Sequence, residues 1–341
     1  MTANASDLRH VKVSTAEDDR SLRDLQPDWN DLWQRSHDAR FHQRYDWCAA
    51  AWHECLRHQG YKLHVVSARR QGRLVAVLPL VRKDRMLRRP NYRFLSCLEH
   101  PKDVLVDRQL AATRSLRDLF LLMMDTCSGR IRISPVRKAS LLHDVAEQAN
   151  FTMKPALDAH VAVLPSSDIE TFMRQRSKSL LGEERRGFKK LLKKGPVSVS
   201  WITTYEEFDH VFADLVRLKR TWLLSKDKTS GWLSDDRAVA ALRNYAKGAV
   251  AGGHAHLQCI NVGGDRVAIN LSLRDNATLT SFLTGYELAF ARFGVGRLGI
   301  LAMMRRACAD DVRVIDHLGG TNHLKVTVTN QIVQQYSLEI G

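Results

Sequence analysis

Apolar residues in the first part of the chain recur every three or four places. Leu22, Leu25, Trp29, Leu32 and Trp33 share one stripe, which predicts an amphipathic helix over residues 17–37. A second helix is expected from Asp46, an N-cap candidate ahead of Trp47 and Trp52. The period then shortens. Two apolar, β-branched runs at 62–68 and 74–81, joined by Arg69-Arg70-Gln71-Gly72-Arg73, read as a β-hairpin. Strands at 93–97 and 104–106, a helix over 110–127, a strand around Ile131 and a helix over 139–149 continue an α/β alternation. A strand at 160–164 is expected to close a first lobe. Pro165-Ser166-Ser167 then divides residues 1–165 from residues 166–341.

Beyond that boundary Phe172, Leu180, Leu181, Phe188, Leu191 and Leu192 form the stripe of one long helix over 169–194, ended by Gly195-Pro196. A strand at 197–202 and helices over 205–224 and 235–250 follow. Two apolar runs, 256–262 and 266–273, again meet at a glycine turn, Gly263-Gly264-Asp265. A third strand over 278–286, a helix over 296–309, a strand over 313–318 and two short strands complete the lobe. The two hairpins superpose with Val75-Ala76 over Val267-Ala268, an offset of 192 residues. Each follows two helices and precedes further strands, an order that predicts a tandem duplication.

The length of 341 residues suits two such lobes at roughly 150 residues per domain. No run approaches the ~18 apolar residues of a membrane span. Residues 1–13 contain no apolar secretory core, and the six cysteines form no CxxC pair; both predict a reducing, cytoplasmic setting. The net charge of +15 is uneven. Residues 174–194 hold nine Lys/Arg against Glu183 and Glu184, and residues 82–93 hold six against Asp84. Such patches suit polyanions such as nucleic acid, cofactor phosphates or nucleotide- and lipid-linked sugars; a solvated basic face is the alternative.

The chemistry-bearing run follows the third strand of the second lobe. After Gly285-Tyr286, the sequence Gly294-Val295-Gly296-Arg297-Leu298-Gly299 opens a helix. It has the GxGxxG form, and Asp316 lies about twenty residues on, but an antiparallel meander precedes it rather than a βαβ unit. The physics still applies: glycines admit an anion to backbone N–H groups, and a helix start offers unpaired donors with a positive dipole end. Arg292 and Arg297 add charge, so a diphosphate is the natural ligand; a glycine turn that binds nothing is the alternative. Among the fourteen histidines, His254, His256, His317 and His323 lack carboxylates or cysteines at ligand spacing, so no metal is expected. Neither a GxSxG elbow nor a cysteine signature is present. Trp201, Trp222 and Trp232 are candidates for a sugar or base site, or for the core.

These motifs, in this order, resemble the CelD-like acetyltransferases of cellulose and exopolysaccharide synthesis, within the GNAT superfamily and related to the FemAB peptidyltransferases. Phe41-His42-Gln43 with Trp47 and Trp52 is similar to the family's F-x-[SQ]-x-x-W…W segment. The run from Gly72 to Leu80 is similar to G-x-L-V-A-x-x-P-L. Ser177-Lys178 with Arg185-Arg186 and Lys189-Lys190 resembles the basic helix, and Leu218-Lys219-Arg220-Thr221-Trp222 the L-x-x-x-R-W segment. Leu283-Thr284-Gly285-Tyr286, Gly296, Asp316-His317-Leu318-Gly319-Gly320 and Lys325 resemble x-x-G-Y-D…P-G…D-x-x-x-G…Y-K. Three positions depart: Glu287 stands for Asp, Val295 for Pro and Leu324 for Tyr.

The resemblance implies an α/β (α+β) fold of tandem GNAT-like lobes, each a mixed, largely antiparallel sheet flanked by helices. It implies acyl transfer from acetyl-CoA or another acyl-CoA to a sugar or amine precursor, by direct attack in a ternary complex. Backbone N–H groups near Phe282, Leu283 and Thr284 would polarise the thioester, and Gly294 to Gly299 would hold the pyrophosphate. Glu287, Asp316 and His317 are candidates for the base, Asp316 preferred with Lys325 as its charge partner or as a substrate contact; Arg220, Trp222, Tyr286 and His317 are candidates for acceptor contacts. Strand alternation would point Asp316 and His317 to opposite faces. The first lobe, without such a glycine turn, is expected to bind no cofactor and to help enclose the acceptor. A second reading is a FemAB-like transferase using aminoacyl-tRNA, with the basic helix on RNA. A third is a non-catalytic nucleic-acid-binding or scaffold protein.

Overall fold

Both hairpins close on the same turn. In the computed structural model, which describes residues 8, 10–36, 38–86, 88–113, 115–165, 168–202, 204–275 and 277–341 (only the backbone of Arg85), Gln71 and Gly72 have φ of 51° and 81°. Gly263 and Gly264 have 63° and 99°. Positive φ at both central residues is what a two-residue primed turn requires, because its twist matches that of the flanking strands. Ser166 and Ser167, at the expected boundary, lie outside the described residues.

One compact unit takes the chain up to Leu157 with Ala240–Leu242 and Gln334–Gly341; the other takes Asp158–Val239 and Arg243–Val333. The first carries β1 (Val11–Ala16), α1 (Asp19–Asp24), α2 (Gln26–Arg35), α3 (Tyr45–Ala50), β2 (Lys62–Arg70), β3 (Arg73–Arg85), β4 (Arg88–Phe94) and β5 (Leu105–Val106). It continues through α4 (Arg108–Ala111), α5 (Leu116–Met124), β6 (Arg130–Arg137), α6 (Leu141–Gln148) and β7 (Thr152–Pro155). Leu25 interrupts the expected first helix, splitting it into α1 and α2.

Asp158 onward gives β8 (Ala159–Val163), α7 (Ile169–Arg176), α8 (Leu180–Leu192), β9 (Val197–Ile202), α9 (Tyr205–Leu224), α10 (Asp236–Ala251), β10 (Ala255–Val262), β11 (Asp265–Asp275) and β12 (Thr278–Tyr286). Then come α11 (Val295–Ala309), β13 (Val314–Gly319), α12 (His323–Val328) and β14 (Gln331–Val333). The last strand, β15 (Gln335–Ile340), belongs to the first unit. The long basic helix expected over 169–194 is two helices. Ser177 is extended (φ −159°, ψ 124°), which ends α7, and the Ser179 hydroxyl donates to Glu183 at 2.9 Å across the first turn of α8.

The sheets share a plan. The order β1-β2-β3-β4-β6-β15-β7, with β5 beside β3, mirrors β9-β10-β11-β12-β13-β8-β14. In each, an antiparallel meander of four strands meets a parallel neighbour, β4 with β6 and β12 with β13, through three residue pairs. The strand at 160–164 does not close the first lobe as expected: β8 pairs with β13, while β15 takes the matching place beside β6. The architecture is thus two GNAT-like lobes in tandem. Leu74 to Leu78 are buried on both faces of β3, as expected where both sides of a sheet are covered.

Candidate active site

The parallel ladder between β12 and β13 is short. Thr278, Leu279 and Thr280 pair with Val314, Ile315 and Asp316, and there the ladder ends, although β12 runs on to Tyr286 and β13 to Gly319. Each strand is held to its own side. On β12, Leu283 pairs with Leu271 and Ser281 with Ser272, which makes Phe282 the extra residue of a β-bulge. Further along, a Cβ on Gly285 would lie 2.9 Å from both the Leu215 carbonyl oxygen and Leu218 Cβ of α9, so β12 and this helix approach as only glycine allows. On β13, Asp316 Oδ1 accepts the Leu318 N–H at 2.8 Å and Leu318 adopts φ +59°. Lys325 Nζ donates to the carbonyls of Gly319 at 2.8 Å and Gly320 at 3.1 Å. Asn322 caps α12 by accepting the Lys325 N–H at 2.8 Å, which starts the helix where Lys325 can turn back. An opening between two parallel strands results, with Asp316 at its apex and Lys325 on its β13 rim.

The glycine turn lies at the end of β12. Gly294 (φ +74°) is the residue from which α11 starts. A Cβ on Gly296 would meet the Tyr286 ring at 3.0 Å, and one on Gly299 would overlap the Asn270 amide of β11. The three glycines therefore serve a turn, a close approach and helix-on-sheet packing. Of the two expected cations, Arg297 is ion-paired to Glu183 of α8, and the Arg292 guanidinium sits 4.9 Å over the Phe293 ring. The helix start itself, with its first-turn N–H groups, is what remains for an anion. Gly187 fits α8 against the Phe293 carbonyl. Arg185, Arg186, Lys189 and Lys190 of the same helix are exposed.

Electrostatics divide the candidate residues. Asp316 is 1% exposed and His317 4%, so both are buried. Burial, helped by the nearby Lys325 charge, lowers His317 to about 4, and its Nε2 has no hydrogen-bond partner among the described residues. It is neutral at physiological pH and a weak base. Burial also brings Lys325 down to about 8, against the pull of Asp316. Glu287 is elsewhere. It pairs with Arg217 at 3.0 Å and lines a cavity of about 740 Å³ with Trp201, Asp214 and Arg266. It follows Thr280, the partner of Asp316, by seven residues, roughly 20 Å along an extended strand, so the two carboxylates do not serve one proton. Arg220 is likewise committed, to Asp236 at 2.6 Å and the Leu233 carbonyl at 2.8 Å.

Two residues join the site that motif reading did not single out. Lys219 Nζ lies 4.2 Å over the Trp222 ring, whose Nε1 donates to the Tyr286 hydroxyl at 2.7 Å. Lys219, Trp222, Tyr286 and Gly296 thereby form one connected wall. His160 of β8 bonds Thr321 at 2.9 Å and lies within the field of Lys325. The Lys-x-x-Trp spacing in α9 is the signal that could have found Lys219, since i and i+3 share a helix face.

Burial brings Lys219 down to about 8, with Lys228 adding to the effect and the indole face opposing it. A lysine whose folded value lies below its unfolded one opposes folding fully below pH 8, and this cost fades as pH rises toward 10.5. Lys219→Met, which keeps the apolar stem, is expected to melt higher than the parent at pH 7, with the gap closing by pH 10. A parent that is the more stable at pH 7 would show that the ammonium serves the fold.

His143, Asp144 and Glu147 of α6 bring potential ligand atoms within 4.8 Å of one another. The two nitrogens of His143 lie 3.5 Å from Asp144 and 3.7 Å from Glu147.

This geometry agrees with comparisons to known proteins. Residues 178–326 match the family described as an acetyltransferase (GNAT) domain. Among solved structures, the chain is similar to FemX (10% identity, TM-score 0.66, covering 92% of this chain and 95% of that one). It is similar to a conserved protein of unknown function from Bacteroides thetaiotaomicron (10%, 0.56, 97% and 100%). A tandem GNAT protein from the clavulanic acid biosynthesis pathway also superposes (12%, 0.50, 96% and 98%). Among curated proteins there is no match. The family match lies within the second unit and spans less than half of the chain, and at such identities the structural likeness establishes the fold alone.

Proposed function

We propose that the chain is an acyl-CoA-dependent acyltransferase whose donor occupies the opening between β12 and β13, with an amine or hydroxyl of a sugar precursor as acceptor. The observation that carries this reading is the three-pair ladder ending beside a glycine-started helix. The pyrophosphate sits at the first turn of α11, and the thioester lies along β12 near the Phe282 bulge, where main-chain donors meet the developing oxyanion. The acceptor nitrogen or oxygen bonds to the thioester carbon as Asp316 takes its proton. The carbon–sulfur bond then breaks, and the proton returns to the departing CoA sulfur. Lys325 fixes the 318–320 turn that shapes the rim. Within the CelD-like resemblance, an exopolysaccharide precursor is the acceptor class we favour.

One observation favours a second donor. Arg297 is neutralised by Glu183, while the exposed cations of α8, Arg185 to Lys190, span six residues, roughly 9 Å of helix. That face suits an RNA backbone, as an aminoacyl-tRNA donor would require. Release of free CoA thiol from acetyl-CoA, measured with a panel of amino sugars and sugars, separates the two. Acceptor-dependent release supports the acyl-CoA reading. Aminoacyl transfer from charged tRNA without thiol release replaces it with the second, and neither activity leaves the scaffold reading.

A further inference from the structure

The first unit carries a feature that the acyltransfer reading does not use. The β3–β4 hairpin outruns its neighbours: β2 begins at Lys62, paired with Arg82, and β6 begins at Arg130, paired with Asn91. Residues 83–86 and 88–90 therefore project past both flanking strands, a reach of roughly 10 Å at strand geometry. Met86, at the end of this finger, is 90% exposed, and Arg88 and Arg89 beside it are exposed as well. Neither arginine has an ion-pair partner among the described residues. The one carboxylate of the segment, Asp84, is held by Lys62 at 2.7 Å and Arg82 at 3.6 Å. At the base, Arg93 bonds the Tyr61 hydroxyl at 3.2 Å and Lys83 lies 5.0 Å over the same ring, so the finger stands on a braced footing.

An exposed methionine beside cations that have no ion-pair partner among the described residues has a specific physical complement. A protein partner with an acidic groove would satisfy the arginines, and RNA would too, but neither rewards a methionine held in water at the point of furthest reach. A bilayer surface containing anionic lipid rewards both. The thioether enters the headgroup–acyl boundary while the guanidinium groups meet phosphates. We infer that Met86, Arg88 and Arg89 of the β3–β4 hairpin dock the chain on anionic membrane surfaces, peripherally and reversibly. Each cation within reach of such a surface is worth roughly fivefold in partitioning, and burying a methionine side chain about tenfold or more.

The test is sedimentation of the full-length protein with vesicles of phosphatidylcholine alone, and of phosphatidylcholine with phosphatidylglycerol at 30 mol% (about one lipid in three, a surface charge of the kind that attracts polybasic segments). Binding to the anionic vesicles, at least tenfold over neutral ones, is expected. Met86→Asp should lower it about tenfold and the double variant Arg88→Ala with Arg89→Ala about thirty-fold. Both changes lie on exposed positions, and unchanged circular dichroism would show that folding is intact. Equal partitioning into both vesicle types, or anionic binding that survives both variants, overturns the inference. So does tighter binding of single-stranded RNA that depends on Arg88 and Arg89 but not on Met86. The assay uses neither acyl-CoA nor an acceptor, so it stands or falls apart from the donor site.

Discussion

Asp316→Asn is expected to fold as the parent does, to bind acyl-CoA as tightly, and to transfer the acyl group about 10²–10⁴ times more slowly. The contrast follows from the two duties of one carboxylate. Its Oδ1 accepts the Leu318 N–H at 2.8 Å, and an amide oxygen in the same place can do so as well. An amide cannot accept the proton of an attacking amine or hydroxyl. Asp316 sits at the last rung of the β12–β13 ladder, where the opening begins, and not along the rim with Lys325. Single-turnover rates with calorimetric donor affinities separate the two duties. A rate within about threefold of the parent would reduce Asp316 to a turn-holding carboxylate, since loss of a positioned proton acceptor costs at least about a hundredfold.

Gly187→Ala is expected to destabilise the fold and to weaken donor binding together. Alanine inside an exposed helix normally gains about 1 kcal/mol over glycine. Here the added methyl would overlap the Phe293 carbonyl, and backbone cannot step aside as a flexible side chain can. Overpacking of that kind costs typically 1–3 kcal/mol, so the overlap outweighs the propensity. The strain falls on the residue just before Gly294, the start of α11, so donor affinity should fall about tenfold for each ~1.4 kcal/mol transmitted to that turn. Gly182→Ala on the same helix is the contrast. Its methyl would meet only the Arg186 guanidinium at 3.4 Å, and it should be neutral or stabilising. Urea denaturation of both variants decides; a Gly187→Ala protein more stable than the parent would mean that α8 does not rest on the turn.

The strongly periodic elements were legible. Helix α9 and strand β12 occupy the residues that their apolar patterns mark, because twenty and nine residues of consistent period leave little ambiguity. The primed turns were legible from glycine. What stayed hidden depended on distant partners. That β8 joins β13 and β15 joins β6 is a matter of sheet membership, which local pattern does not encode. The commitment of Arg297 to Glu183 spans 114 residues. Helix α12, six residues long, is too short to show a period, yet its Asn322 cap sets where Lys325 points. Burial of both Asp316 and His317, and the positive φ of Leu318, follow from packing and from the turn after β13, which strand periodicity does not encode. The lowered values of Lys219 and Lys325 come from burial, a property of the packed molecule.

The most direct measurement is a calorimetric titration of the purified protein with acetyl-CoA, repeated on Gly296→Glu. A side chain at 296 would enter the space of the Tyr286 ring and put a negative charge at the first turn of α11, where the pyrophosphate is placed. The account predicts saturable binding by the parent, of micromolar order, and none by the variant, with circular dichroism unchanged. Absence of binding of any acyl-CoA by the parent, or equal binding by the variant, would contradict a donor site at the start of α11.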